Sequence, residues 1–258
     1  MSDYSLPNFS VNLRGETAIV TGASSGLGLR FAKVLAACGA NVALCARRVD
    51  KLNTVVAEIE KAGGTAKAFA LDVADASELK SIVPKVEAAF GPVTILVNNA
   101  GIPDAQRATK MPLDLIDQVL DVNLRAPFIL SCEVARRLME LKKPGRIVNI
   151  ASIAAYSYAG QGAALYSITK AGVVRLTEAL AVEWSRFHIN VNGIAPGAFA
   201  SEMMDGMLQR MGDISRGFPR QRIGDPAQLD STLLYLVSPA SDAVTGTILK
   251  VDDGQGSR

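Results

Sequence analysis

Short apolar runs and amphipathic stretches alternate along this chain almost from its start. Thr17–Thr21 (TAIVT) reads as a buried strand, a glycine-rich turn follows, and Leu27–Cys38 repeats apolar residues at helical spacing. Asn41–Ala46 (NVALCA) predicts a second strand, and Val49–Ala62 an amphipathic helix that Gly63 and Gly64 stop. Lys67–Leu71 is the third strand, Ala76–Phe90 a helix ended by Gly91-Pro92, and Thr94–Val97 the fourth strand. A long helical region over Leu113–Leu141 ends at Pro144-Gly145 and leads into strand Arg146–Ala151. A loop, a helix over Ala163–Phe187 and a sixth strand, Ile189–Ala195, come next. Asp225-Pro226 has the form of an N-cap with a first-turn proline, and Thr247–Val251 is a last strand. Strands that are apolar throughout, each followed by a helix, predict an α/β fold. The expected form is a doubly wound, mostly parallel, seven-stranded sheet with helices on both faces. No linker divides residues 1–258, so one domain is expected.

One stretch breaks the rhythm. Residues 196–224 hold five of the turn-forming residues Pro196, Gly197, Gly206, Gly212 and Gly217, then Pro219 and Gly224, with Met203, Met204, Met207 and Met211 interleaved. A segment of this kind reads as a lid or binding loop, with a surface insertion as the alternative.

Composition narrows the function classes. Hydrophobic residues make up 49% of the 258, charged ones 20% and aromatics only 5%. Disordered and collagen-like chains are excluded, and the core must be built from Ala, Val, Leu and Ile. Lys+Arg 27 against Asp+Glu 25 is too balanced for a nucleic-acid or membrane-surface binder. Cys38, Cys45 and Cys132 lie in apolar segments without C-x-x-C spacing, which predicts buried free thiols in a reducing compartment. Met1–Leu13 has no signal-peptide pattern and no apolar run approaches a membrane span, so a cytoplasmic protein is expected. His188 is the single histidine; a metal cluster or serine–histidine chemistry is not expected.

The chemistry starts at the first strand–helix turn, Thr21-Gly22-Ala23-Ser24-Ser25-Gly26-Leu27-Gly28. Glycines there let the chain turn sharply and bring the backbone against a pyrophosphate, while the helix N-terminus offers N–H groups. Tyr166 and Lys170 are four apart in a helix and project from one face. A free tyrosine has a pKa of about 10. A neighbouring ammonium favours the phenolate, making proton transfer feasible near neutrality.

The G-x-x-x-G-x-G spacing of Gly22, Gly26 and Gly28 resembles the cofactor motif of the short-chain dehydrogenase/reductase family. Asn98-Asn99-Ala100-Gly101, Ser152, Tyr166-Ser167-Ile168-Thr169-Lys170 and Pro196-Gly197 stand in that family's order. The resemblance runs from about Leu13 to Gly254 and implies a Rossmann-type oxidoreductase with a nicotinamide cofactor. It implies cofactor contacts from Gly22, Ser24, Ser25, Gly26, Leu27 and Gly28. Asp72, Val73, Asn99, Ala100, Gly101, Tyr166, Lys170, Pro196 and Gly197 complete that set. Asp72 is equally readable as a helix N-cap. The family's acid is missing at Ala46, and Arg47 and Arg48 follow, so NADP(H) is expected over NAD(H). Two solvent-exposed arginines are the alternative.

The same resemblance implies the catalytic set. Tyr166 would be the acid/base, and Lys170 would lower its pKa and hold the nicotinamide ribose. Ser152 would polarise the carbonyl, and Asn123 would support a proton relay. Ser152 and Tyr166 are fourteen apart, about one more than the family's usual spacing, which puts the shape of loop 154–163 in question. The substrate wall is expected from Ala154, Tyr156, Tyr158, Gln161, Phe199, Met203, Met204 and Met207, with core packing as the alternative for some.

That wall suits a medium-sized, largely apolar ketone or oxoester rather than a sugar phosphate. Arg136, Arg137, Lys142 and Lys143 read as a solvated helix end, or as a surface for an acidic carrier protein. The family implies a homodimer or homotetramer. The competing readings are a non-catalytic nucleotide sensor of this fold, an NAD-dependent alcohol or sugar dehydrogenase of the family, and an S-adenosylmethionine-dependent transferase.

Overall fold

The computed structural model describes residues 11–158, 160 and 162–256. Seven parallel strands form one sheet: β1 (Thr17–Thr21), β2 (Asn41–Ala46), β3 (Thr65–Ala70), β4 (Ile95–Asn98), β5 (Gly145–Ile150), β6 (Ile189–Pro196) and β7 (Ile248–Val251). Their order is β3-β2-β1-β4-β5-β6-β7. The direction of winding reverses between β1 and β4, which opens a crevice at the carboxyl ends of the strands.

The central strands are mostly apolar because both faces are covered. In β1, Ala18 and Val20 join one core layer and Ile19 the other. Successive side chains leave a strand on opposite sides, so the central residues of β1 are apolar on both faces, and its two threonines stand at the ends with their hydroxyls hydrogen-bonded. On one side pack α1 (Gly26–Ala37), α2 (Val49–Lys61) and α8 (Asp230–Val237). On the other pack α3 (Ala76–Phe90), α5 (Ala126–Leu141) and α6 (Ala164–Trp184). Each fully buried Leu or Phe, such as Phe31 and Leu35 in α1, contributes roughly 1.5–3 kcal/mol of hydrophobic stabilisation.

The punctuation behaves as local chemistry requires. Asp75 caps α3 by accepting from the N–H groups of Ser77 and Glu78, and Gly91 ends that helix at φ +86°. Asp225 and Gln228 form a reciprocal capping box, although the turn they start, Pro226–Leu229, is a 3₁₀ turn that runs into α8.

The expected long helix 113–141 is not one uniform helix. It comprises α4 (Leu113–Leu120), a π-helical turn at Asp121–Arg125, and α5. Pro127 is the physical reason: without an N–H it cannot donate to the carbonyl four residues back, at Asn123.

The 196–224 stretch contains α7 (Glu202–Met211). Its neck is pinned where Ala200 N–H donates to the Gly224 carbonyl at 2.9 Å and Gly224 N–H to that of Ala198 at 2.8 Å. Of the cysteines, all free, only Cys45 is buried, and burial pushes its thiol up to about 12. Cys38 and Cys132 are half-buried, packed against the edges of the two core layers by part of their surface. Among the described residues, no helix is long and apolar enough to cross a membrane.

Candidate active site

The β1–α1 turn is built around the lack of side chains. Gly22 has φ +66°, and a Cβ there would lie 2.9 Å from Asn99 Nδ2. A Cβ on Gly28 would lie 2.4 Å from both Asn99 Nδ2 and the Gly22 carbonyl oxygen. Gly28 is therefore a packing glycine behind the turn, while Gly22, Ser24, Ser25, Gly26 and Leu27 line the cleft. Ser25 stands at the N-cap of α1 but makes no side-chain cap hydrogen bond. A turn cleared of Cβ atoms, ending in a helix start that no side chain caps, fits the pyrophosphate of a dinucleotide.

Thr21 fastens this turn to the next motif. Its hydroxyl oxygen accepts from Asn99 N–H at 3.0 Å and Ala100 N–H at 3.1 Å. Asn99 Nδ2 returns a hydrogen bond to the Thr21 carbonyl at 2.9 Å. Beneath it, Asn98 Nδ2 donates to Asn149 Oδ1 at 2.8 Å, and Asn149 Nδ2 to Thr177 Oγ1 at 2.9 Å. This buried chain joins β4, β5 and α6, so the strand ends and the helix that bears Tyr166 share one polar network.

Ser152, Tyr166 and Lys170 converge on the opposite side of the cleft. Ser152 follows β5 and its hydroxyl oxygen accepts from Ala154 N–H at 3.1 Å; Tyr166 stands in the first turn of α6. Lys170 Nζ lies 5.7 Å from the centre of the Tyr166 ring and donates to the Ile150 carbonyl at 2.7 Å. Burial raises the Tyr166 pKa, the Ser152 hydrogen bond opposes that rise, and Asp104 adds to it. Burial lowers Lys170 to about 8. The net direction for Tyr166 is therefore upward, with burial its largest cause.

Asn123 is buried behind this wall, in the π-helical turn, and its amide pairs with the main chain of Ile102. Its Nδ2 also reaches Thr169 Oγ1 at 3.4 Å, one residue from Lys170. A second buried group went unnoticed in the sequence. Asp104 is 3% exposed, and its Oδ2 accepts from Tyr166 N–H at 3.0 Å, so it caps the start of α6. A cap supplied from 62 residues away leaves no local spacing to read.

Arg47, Arg48, Asp72, Val73, Ala100, Gly101, Pro196 and Gly197 also line the cleft, which encloses about 1340 Å³. Asp72 is not the N-cap of α3. That place belongs to Asp75, while Asp72 Oδ1 accepts from Ala74 N–H at 3.0 Å. Ala154, Tyr158, Phe199, Met203, Met204 and Met207, expected as a substrate wall, also line the cleft. Tyr156 is not on it: its ring carries the Lys250 ammonium 4.2 Å from its centre. Gln161 lies outside the described residues. The 196–224 stretch also brings Met211, Ile214 and Phe218 to the cleft. Among the described residues no group of three His, Cys, Asp or Glu side chains is placed to hold a metal ion.

Comparison with known proteins agrees with this arrangement. The family profile for short chain dehydrogenase matches residues 16–211. A 2-dehydro-3-deoxy-D-gluconate 5-dehydrogenase of Formosa agariphila is 36% identical over 250 residues, spanning 94% of this chain and 93% of the relative. A 3-oxoacyl-[acyl-carrier-protein] reductase of Synechocystis is 36% identical over 244 residues, spanning 94% and 97%. The crystal structure of an actinorhodin polyketide ketoreductase variant with NADPH is 34% identical and superposes with a TM-score of 0.89, covering 94% of this chain and 98% of that one. The seven-stranded sheet, the glycine turn and the profile match lead to one conclusion: this chain belongs to the short-chain dehydrogenase family and is an oxidoreductase acting on alcohol or keto groups.

Proposed function

We propose that the protein is an NADP(H)-dependent reductase of ketones or oxoesters, running in reverse on secondary alcohols. The observation that carries this reading is the meeting of Ser152, Tyr166 and Lys170 on one cleft wall, across from the glycine turn. The cofactor, when bound, supplies the hydride to the carbonyl carbon or accepts it from the alcohol.

Every other part of the step belongs to the chain. Ser152 donates a hydrogen bond to the substrate oxygen and stabilises the negative charge that develops there. In reduction Tyr166 gives its hydroxyl proton to that oxygen, and the alcohol is formed. The raised pKa of Tyr166 keeps it protonated and competent for this direction. Lys170, protonated below about pH 8, balances the phenolate left behind and binds the nicotinamide ribose. Asn123 supports the relay that returns the proton, through its place beside Thr169 and Ile102.

Arg47 and Arg48 on the cleft rim favour NADP(H), since an adenosine 2′-phosphate needs cationic donors and no acid stands at Ala46. The methionine-rich lid favours a medium-sized, largely apolar substrate. We read the chain as one cytoplasmic catalytic domain. Exposed Leu113, Phe128, Ile168 and Val182 on α4–α6 suit a homodimer or homotetramer.

Oxidation of NADPH and NADH by the purified protein over a panel of ketones, oxoesters and 5-keto sugar acids tests the reading. Turnover with NADPH at least tenfold above NADH is expected. Tight nucleotide binding with no turnover across the panel would replace the enzyme by a nucleotide sensor.

A further inference from the structure

The rim that should receive an adenosine 2′-phosphate already holds an anion from the protein itself. Glu202, the first residue of α7, reaches from the lid onto the β1–α1 turn and the start of α2. Arg48 meets its carboxylate side-on, with Nη1 3.0 Å from Oε1 and Nη2 2.9 Å from Oε2. Lys51 Nζ donates to Oε1 at 2.8 Å and Ser25 Oγ to Oε2 at 3.0 Å. Arg48 Nη2 also donates to Ser24 Oγ and Ser25 Oγ, at 2.9 Å each. A serine hydroxyl, a guanidinium and an ammonium around one carboxylate are a donor set of the kind phosphate recognition uses. The Arg48 and Lys51 contacts hold Glu202 ionised down to about pH 2, so the anion is present at any working pH.

We propose that Glu202 is a cofactor-specificity residue carried by the lid helix, competing with the 2′-phosphate of NADP(H) for the donors of Ser25, Arg48 and Lys51. This rests on the reading of the cleft as a nicotinamide-cofactor site with its adenosine end at this rim. No acid stands at Ala46; the carboxylate at this rim comes from a different element, 154 residues from Arg48. Bound in the cradle, it neutralises the cations that would favour a phosphorylated ribose. Displaced, it leaves them to the phosphate. The preference expected from Arg47 and Arg48 alone is therefore reduced in this chain.

The test uses the full chain and two probes that differ only in the 2′-phosphate, adenosine 2′,5′-bisphosphate and adenosine 5′-monophosphate. Glu202→Gln is expected to tighten the bisphosphate about fivefold. The monophosphate should stay within about twofold. Glu202→Asp, which keeps the charge, should behave more like the wild type. In an Arg48→Met background the gain from Glu202→Gln should vanish. A bisphosphate affinity unchanged in Glu202→Gln overturns the proposal. So does equal tightening of both probes, or a loss of monophosphate binding that would make Glu202 a ribose ligand. The wild-type preference between NADPH and NADH tests the cofactor reading separately. Preference for NADH with the bisphosphate gain intact removes that reading and leaves Glu202 in its role. Preference for NADPH without the gain does the reverse.

Discussion

Asn123 grips Ile102 by both polar groups of that residue's main chain. Its Oδ1 accepts from Ile102 N–H at 2.9 Å, and its Nδ2 donates to the Ile102 carbonyl at 2.9 Å. The pair ties the π-helical turn to the segment after β4, the two elements that flank Gly101 and Lys170. Asn123→Ala leaves two main-chain groups without partners, at a cost of about 2 kcal/mol or more. Urea unfolding should show that loss together with a fall in turnover. Asn123→Asp should not restore either, because it sets an oxygen against the Ile102 carbonyl. An unfolding midpoint equal to the wild type in Asn123→Ala would mean the clasp carries no stability.

Tyr166→Phe removes the proton that the substrate oxygen needs and leaves the helix unchanged. Turnover is expected to drop on the order of 10²–10⁴-fold. Nucleotide affinity, read by titration, should remain within a few-fold of the wild type. A variant that turns over at a near-normal rate would remove Tyr166 from the chemistry.

Lys170 sets two pH dependences with definite signs. Its pKa of about 8 lies below the 10.5 of an unperturbed lysine because the ammonium is buried. Below pH 8 both folded and unfolded chains hold the proton. Between about 8 and 10.5 the unfolded chain binds more protons, so stability rises with pH there. From pH 7.5 to 9.5 the gain is on the order of 2 kcal/mol, measured by urea unfolding. Lys170→Met should lose that slope. The reductive rate should move oppositely, falling above about pH 8 as the cation is lost.

Gly28 tests the nucleotide cradle through packing alone. A Cβ there meets the Gly22 carbonyl oxygen and Asn99 Nδ2 at 2.4 Å, and the carbonyl cannot swing away without moving the turn. Gly28→Ala should cost about 1–3 kcal/mol. It should also weaken binding of both NADPH and NADH, since it displaces the shared turn rather than the rim. Thermal unfolding and nucleotide titration read the two effects; selective loss of NADPH alone would contradict this account.

How far the chain could be read without coordinates follows from the range of the interactions involved. The strands of the sheet are legible because burial on both faces demands consecutive apolar residues, as in the centres of β1 and β4. Tyr166 and Lys170 are legible because helical geometry fixes what is four residues away. The glycine turn is legible because its constraint lies within eight residues.

The π-helical turn was hidden within 113–141, since a one-residue widening barely disturbs the apolar repeat and only Pro127 hints at it. Position in the chain suggests Tyr156 for the substrate wall, whereas its ring packs against the ammonium of Lys250 in β7. Asp104 and Glu202 show the same limit more sharply. Each is an acid whose role comes from donors 62 and 154 residues away, and an acid in a loop or at a helix start has many ordinary uses. Composition and local spacing by themselves determine the layers, the cofactor turn and the Tyr–Lys pair. Folding alone decides which long-range donors meet each buried or lid-borne carboxylate, because those contacts depend on how distant elements pack.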